Sequence, residues 1–329
     1  MQRRDFVGLA GLALLGNVGM SAAKDRLALN VAALDRLLDT SARRPPLDVM
    51  HTATGIAGEL EELLRERLSP SQVLRVGSAL ANVNVVRADT AHKLDRPADA
   101  RALARRARLQ ARMAGHQEQQ GLAMRVSAII EYHEGNAERA LRFARAGREQ
   151  VSWGPVGAAL AAEEARARAL APGRHSGPVE DAIAEALRLA NGLPAADLAV
   201  ARFGLTYNPL EAHYVGALSH LRGGDPAAAQ DHLAEARPTF DALGLRHFSA
   251  GLRVEEAHAL LRPGAVDVEQ ACALAREAMG IYDTWRSRRL SHRLGAFARR
   301  IGPLRASPVA REAHTQIVEW LAAPGTATG

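Results

Sequence analysis

Between Leu122 and Val151 the chain reads as two short helices folded against each other, and this hairpin restricts the fold more than any other stretch. Leu122, Val126, Ile129 and Ile130 stand at i, i+4, i+7 and i+8, with His133 a turn further, which makes one stripe of a 3.6-residue period. Gly135-Asn136 ends that helix. Glycine enters the left-handed conformation without a Cβ penalty, and asparagine is expected to cap the next helix through its side-chain oxygen. Ala137, Ala140, Leu141 and Ala144 follow at i, i+3, i+4 and i+7, small residues that let two helices approach closely. One hairpin of this size cannot cover its own apolar face, so it needs further copies of itself.

The copies are there. An alanine follows a turn at Ala100, Ala140, Ala182, Ala229 and Ala271, at intervals of 40, 42, 47 and 42 residues. Units that stack in sequence order bury a continuous core without a single centre, so a chain of 329 residues is expected to form one elongated domain over residues 25–323. Aromatic residues make up only 4% and no run of alternating β-branched residues occurs, which leaves an all-α class. Two amphipathic patterns flank Arg43-Arg44-Pro45-Pro46. Ser69-Pro70, Pro97, Pro155, Tyr207-Asn208-Pro209 and Gly223-Gly224-Asp225-Pro226 each open a further helix. The last of these turns combines a terminal glycine, an aspartate cap and a proline at the first helical position.

Lysine occurs at 24 and 93 alone, so the formal charge of +6 is carried by arginine. That balance suits an acidic partner, and speaks to partners and solubility rather than to fold. Arg101, Arg105, Arg108 and Arg112 form a stripe along one helix. A solvated outer face opposite Leu103, Ala104, Ala107 and Ala111 accounts for it, and a nucleic-acid contact is the competing reading, although no aromatic residue is interleaved to stack on bases. The segment RSRRLSHRLGAFARRI, near 287–300, is expected to put its basic side outward, as the wet face of a terminal cap.

Residues 1–24 carry Arg3-Arg4-Asp5-Phe6 and a glycine-rich, mildly apolar run ending at Ser21-Ala22-Ala23. The run is shorter than the roughly 20 residues a membrane-spanning helix needs. It reads either as a linker or docked first helix of a cytoplasmic protein, or as a twin-arginine export signal. The tail after Pro324 is expected to be disordered. The single cysteine, Cys272, excludes an internal disulfide and sits among alanines as a small buried hydrophobe.

Motifs for chemistry are missing. No phosphate-binding glycine loop, nucleophile elbow, H-E-x-x-H or cysteine pair occurs, so neither an enzyme nor a cofactor is expected. The adjacent carboxylates Glu61-Glu62, Glu163-Glu164 and Glu255-Glu256 point about 100 degrees apart on a helix, which suits caps and salt-bridged faces better than shared proton chemistry. His213 and His220 lie seven residues apart on one helical face, too far for metal ligands at i, i+4.

The phrases HEGNAERAL, from His133 to Leu141, and RGGDPAAAQDHL, from Arg222 to Leu233, resemble tetratricopeptide turns with their second helices. The start RRDFVGLA and the terminal SRRLSHRLGAFARRIGPLRASPVAREAHTQIVEWL resemble the regulatory region of actinobacterial XRE-type helix-turn-helix transcriptional regulators. That resemblance extends over essentially the whole chain. It implies a tetratricopeptide-like αα-hairpin solenoid, wound as a right-handed superhelix, whose first helices line a concave groove for a short signalling peptide or a protein partner. No helix-turn-helix precedes Arg3, so the expectation is a relative lacking the DNA-binding domain, or one whose start lies upstream. Nucleic acid is then not an expected partner without such a domain, and self-association into a homodimer stays open. The candidate groove residues are Asn82, Asn84 and Arg87, then Arg125 and Glu131, then Asn208, His213 and His220, then Arg253 and His258. Asparagine offers a donor and an acceptor to a peptide backbone. An exported helical scaffold and a basic nucleic-acid binder are the alternative functions.

Overall fold

The computed structural model describes residues 23–66, 68–171, 176–193, 209–262, 266–282 and 288–323. The expectations for the N-terminal segment, for Asn208 and for the tail after Pro324 fall outside these residues. Among them the chain forms fourteen α-helices and no strand. In order these are α1 Ala23–Thr40, α2 Pro46–Leu63, α3 Pro70–Lys93, α4 Pro97–Met113, α5 Gln117–His133, α6 Ala137–Gln150 and α7 Gly154–Leu170. They continue as α8 Ser176–Asn191, α9 Pro209–Gly223, α10 Pro226–Ala242, α11 Arg246–Leu260, α12 Val268–Tyr282, α13 Arg288–Ile301 and α14 Pro308–Ala322.

Each odd-numbered helix from α3 to α11 forms a hairpin with the even-numbered helix after it, and each odd-numbered helix from α1 to α11 also packs on the next odd-numbered one. The odd series is therefore one continuous layer and the even series flanks it, as expected of an all-α repeat solenoid. The apolar core follows the same logic, dividing into successive groups. One joins Leu27 to Val86, a second centres on Leu218, Leu233 and Phe240, and a third joins Ala250 to Trp320. Ala100, Ala140, Ala229 and Ala271 have no exposed surface and Ala182 is buried. Ala310 continues the series on α14, a sixth copy opened by Ser307-Pro308.

Local chemistry accounts for the helix ends. Ser69 accepts from the Gln72 amide while the Gln72 side chain accepts from the Ser69 amide, a reciprocal cap that fixes the start of α3. Asp225 accepts from the Ala228 amide at 2.9 Å and Pro226 follows at the first helical position. Gly135 has φ of +79°, the left-handed turn that closes the central hairpin. Asn136 departs from expectation. Its side chain does not cap α6; its amide donates to Glu131 Oε2 at 2.8 Å, because a buried carboxylate competes better for that donor than the geometry of the cap allows.

Helix α7 is buried on nearly every side, which requires each of its charged groups to be paired. Its entry is tight. A Cβ on Gly157 would lie 2.7 Å from the carbonyl carbon of Ser152, a backbone atom that cannot move aside. Gly157→Ala should therefore destabilise the fold by about 1–3 kcal/mol, although alanine is ordinarily the better helix former. Urea unfolding of the variant checks this, and a rise in stability would contradict the close contact.

A candidate binding site on the inner helices

The last turns of several odd-numbered helices carry basic residues: His92 and Lys93 on α3, His133 on α5, Arg168 on α7, His220 and Arg222 on α9, and His258 on α11. The free carbonyl groups at a helix C-terminus favour positive charge there, which suits Lys93, Arg168 and Arg222. Helix α13 adds Arg289 and Arg293, spaced i, i+4 on one face.

The curvature of the solenoid then brings α13 back across the inner surface. Arg289 Nη1 lies 2.7 Å from His92 Nε2, although 197 residues separate them, and Arg293 Nη2 lies 3.1 Å from His133 Nδ1. Between them is a cavity of about 390 Å³ reached by α3, α5, α9, α11 and α13. The basic side of α13 was expected to face solvent. Arg299 does, but Arg300, though exposed at the rim, reaches back to the His258 and Leu261 carbonyls, and Arg289 and Arg293 turn inward, because the facing surface is the inner layer rather than water.

Charge in this cavity does not balance. Five guanidiniums line it, those of Arg222, Arg262, Arg289, Arg293 and Arg300, against the carboxylates of Asp95, Glu134 and Glu255. Glu255 is shared: both its oxygens accept from Arg222 at 2.7 Å, and Arg293 lies 3.3 Å away. Burial alone would raise the Glu255 carboxyl, but Arg222 and Arg293 outweigh it and hold it well below the usual carboxylate range. Burial first, and then the charges of Arg289 and Arg293, depress His92 and His133 well below the ordinary imidazole range, so both rings are neutral at pH 7. The rings stack with centroids 5.1 Å apart. Arg289 is opposed in the same way, by burial and then by Arg293. A guanidinium stays protonated at any pH a protein meets, so this opposition is expressed as unneutralised positive charge.

A second network lies on the same inner layer. Arg125 of α5 bonds Glu211 of α9 and sits 3.7 Å from Glu163 of α7, while Arg166 bonds Glu163 at 2.9 Å. The Arg166 guanidinium also rests 4.4 Å over the Tyr132 ring, a cation–π contact. Here two guanidiniums meet two carboxylates. Burial, with Glu163 nearby, still pushes the Glu211 carboxyl up to about 7 against the pull of Arg125.

The residues singled out from the sequence take varied places. Asn84 donates to Gln110 of α4 at 2.8 Å and accepts from Arg87 at 2.9 Å, so the two are engaged within the layer. Asn82 is half-buried on α3. Glu131 accepts from Arg101 at 2.8 Å and pairs with Arg139, linking α5 to its two outer neighbours. His213 faces His232 with their Nδ1 atoms 3.2 Å apart, and His220 stacks on the same ring. Arg253 bonds Asp241 and Glu277, each at 2.8 Å. Arg125 anchors the second network. Of the described candidates, His258 lines the cavity. Among the described residues no group of three or more histidine, cysteine or acidic side chains is arranged to hold a metal ion. The adjacent glutamates are ion-paired: Glu164 with Arg145, Arg148 and Arg168, Glu256 with Arg237, and Glu61 with Arg106.

The cavity residues the sequence did not single out are His92, His133, Arg222, Arg289 and Arg293. A signal for the first three was present, since each is a basic residue in the last turn of an inner helix. Fold and cavity together define a helical-repeat scaffold with a basic inner face. The chain matches no known family model, no curated protein and no solved structure. No helix among the described residues is long and apolar enough to cross a membrane.

Proposed function

We propose that this chain is a non-enzymatic helical-repeat binding module that holds a peptide or protein partner against its inner helices, as the regulatory region of a tetratricopeptide-type transcriptional regulator would. The observation that carries this reading is the convergence of side chains from five inner helices on one cavity. A solenoid presents its inner layer as an extended surface, and alternate units contribute contacts to whatever lies along it. The resemblance of the repeat turns and of the C-terminal segment to regulatory regions of that family points the same way.

The test is to select binders from a random peptide library and to map the tightest by hydrogen exchange. Protection in α3, α5, α9, α11 and α13 is the expected result. Protection confined to the even-numbered helices, or a library that yields no binder, would reject the module.

A further inference from the structure

We infer that the cavity between α3, α5 and α13 is a binding site for a small doubly charged oxyanion, namely phosphate or the phosphate monoester of a small molecule, gripped by Arg289 and Arg293. This site does not depend on there being a peptide partner. Three observations converge on it. First, among the described residues no carboxylate lies within ion-pair distance of Arg289, whose nearest polar partner is the neutral ring of His92. Second, His133 is asked for more than an imidazole can give. Arg166 Nη2 lies 3.0 Å from its Nε2 and Arg293 Nη2 lies 3.1 Å from its Nδ1. A neutral ring has one acceptor nitrogen, so one of these two guanidiniums meets an N–H instead. Third, the other arginines of the lining are committed elsewhere. Arg222 is spent on Glu255, Arg262 on the Arg222 carbonyl, and Arg300 on the carbonyls of His258 and Leu261.

What remains is Arg289 and, one helical turn on, Arg293, whose Nη2 is shared between His133 and a Glu255 carboxylate that Arg222 already holds with both oxygens; the two face a space of about 390 Å³. Small-molecule sites occupy roughly 300–1,000 Å³, so the volume suits a compact ligand. A guanidinium fork matches two oxygens of a tetrahedral anion, and two forks side by side favour a dianion over a single carboxylate. An anion there would accept from Arg289 and Arg293 together. It would release His133 to accept from Arg166 alone.

The experiment uses the full chain and three probes: sodium phosphate, glycerol 3-phosphate, and sodium chloride at matched ionic strength. Calorimetry and thermal unfolding are run on the native protein, on R289Q, and on R108Q, whose arginine is exposed on the outer helix α4. We expect saturable phosphate binding that R108Q retains and R289Q weakens at least tenfold. In chloride alone, R289Q should melt no lower than the native chain, because it removes a charge without a carboxylate partner. Tighter binding of glycerol 3-phosphate than of phosphate would assign a phosphorylated small molecule, and equal binding would assign the free ion. The site is refuted by a phosphate response that R289Q leaves intact, by a response no greater than that to chloride, or by an R289Q variant that melts lower than the native chain.

Discussion

Arg125→Leu is expected to lower the stability of the solenoid by about 3–5 kcal/mol, since removing one partner of a buried ion network strands the others in a medium that cannot solvate them. Arg125, Glu163 and Glu211 are all almost fully buried and come from three successive inner helices. Glu211 is already pushed up to about 7, so in the variant it will take up a proton, which places the loss toward the lower end of that range. Adding Glu211→Gln to Arg125→Leu should then recover stability, because the amide needs no counter-ion. Chemical unfolding measures both variants, and hydrogen exchange should locate the loss in α5, α7 and α9. A cost under 1 kcal/mol, or a second substitution that deepens the loss, would mean the network is not the brace the geometry describes.

The second large effect is on pH. His92 and His133 are held well below the ordinary imidazole range in the fold, whereas in the unfolded chain they bind protons from about pH 6.5 downward. The unfolded state therefore binds more protons below pH 6.5, and the contribution of these rings to stability is whole above that pH and falls as the solution is acidified. Each ring costs roughly 1.4 kcal/mol at pH 5.5 relative to pH 8, so the pair contributes about 3 kcal/mol of acid sensitivity. The groups that face them are Arg289 and Arg293 on α13 and Arg166 on α7. His247, which packs near Arg289, Arg293 and Lys93, is depressed as well. Glu211 works in the opposite sense, since its folded carboxyl titrates above its unfolded one and stabilises the fold as pH falls from 7 toward 4.5. The clean reading is thus a difference between proteins. Replacing both rings by asparagine, which keeps an acceptor for each arginine, should shrink the loss between pH 8 and 5.5 by about 3 kcal/mol. If native and double-variant proteins lose stability in parallel over that range, the rings are not held neutral.

Much of the architecture could be read from the chain because its signals are local. The turn at Gly224-Asp225-Pro226, the reciprocal cap at Ser69 and the alanines at Ala100, Ala140 and Ala229 each act within a few residues of themselves, and their recurrence implies stacking. Ala310 belongs to the same series, and its turn at Ser307-Pro308 carries the same signature. The cavity was not legible in that way. Its walls include α3 and α13, and the meeting of His92 with Arg289 depends on how far each unit rotates relative to the last, a quantity set by packing along the whole stack. Asn84 and Arg87 were candidates on the ground of residue type, but the register of α3 turns Asn84 toward Gln110 on α4, and Arg87 donates to Asn84. Arg289 and Arg293 looked like surface cations for the corresponding reason, since nothing near them in sequence announces the layer they face.

A stack whose units touch only their neighbours frays from its ends, one unit after another. The contacts of α13 with His92 and His133 break that pattern by tying a late unit to two early ones. The tie is made of like charges and neutral rings, so by itself it is a loose clasp. An anion caught in it would fasten the two ends of the coil together, and melting would then change from piecemeal unravelling to a single concerted event.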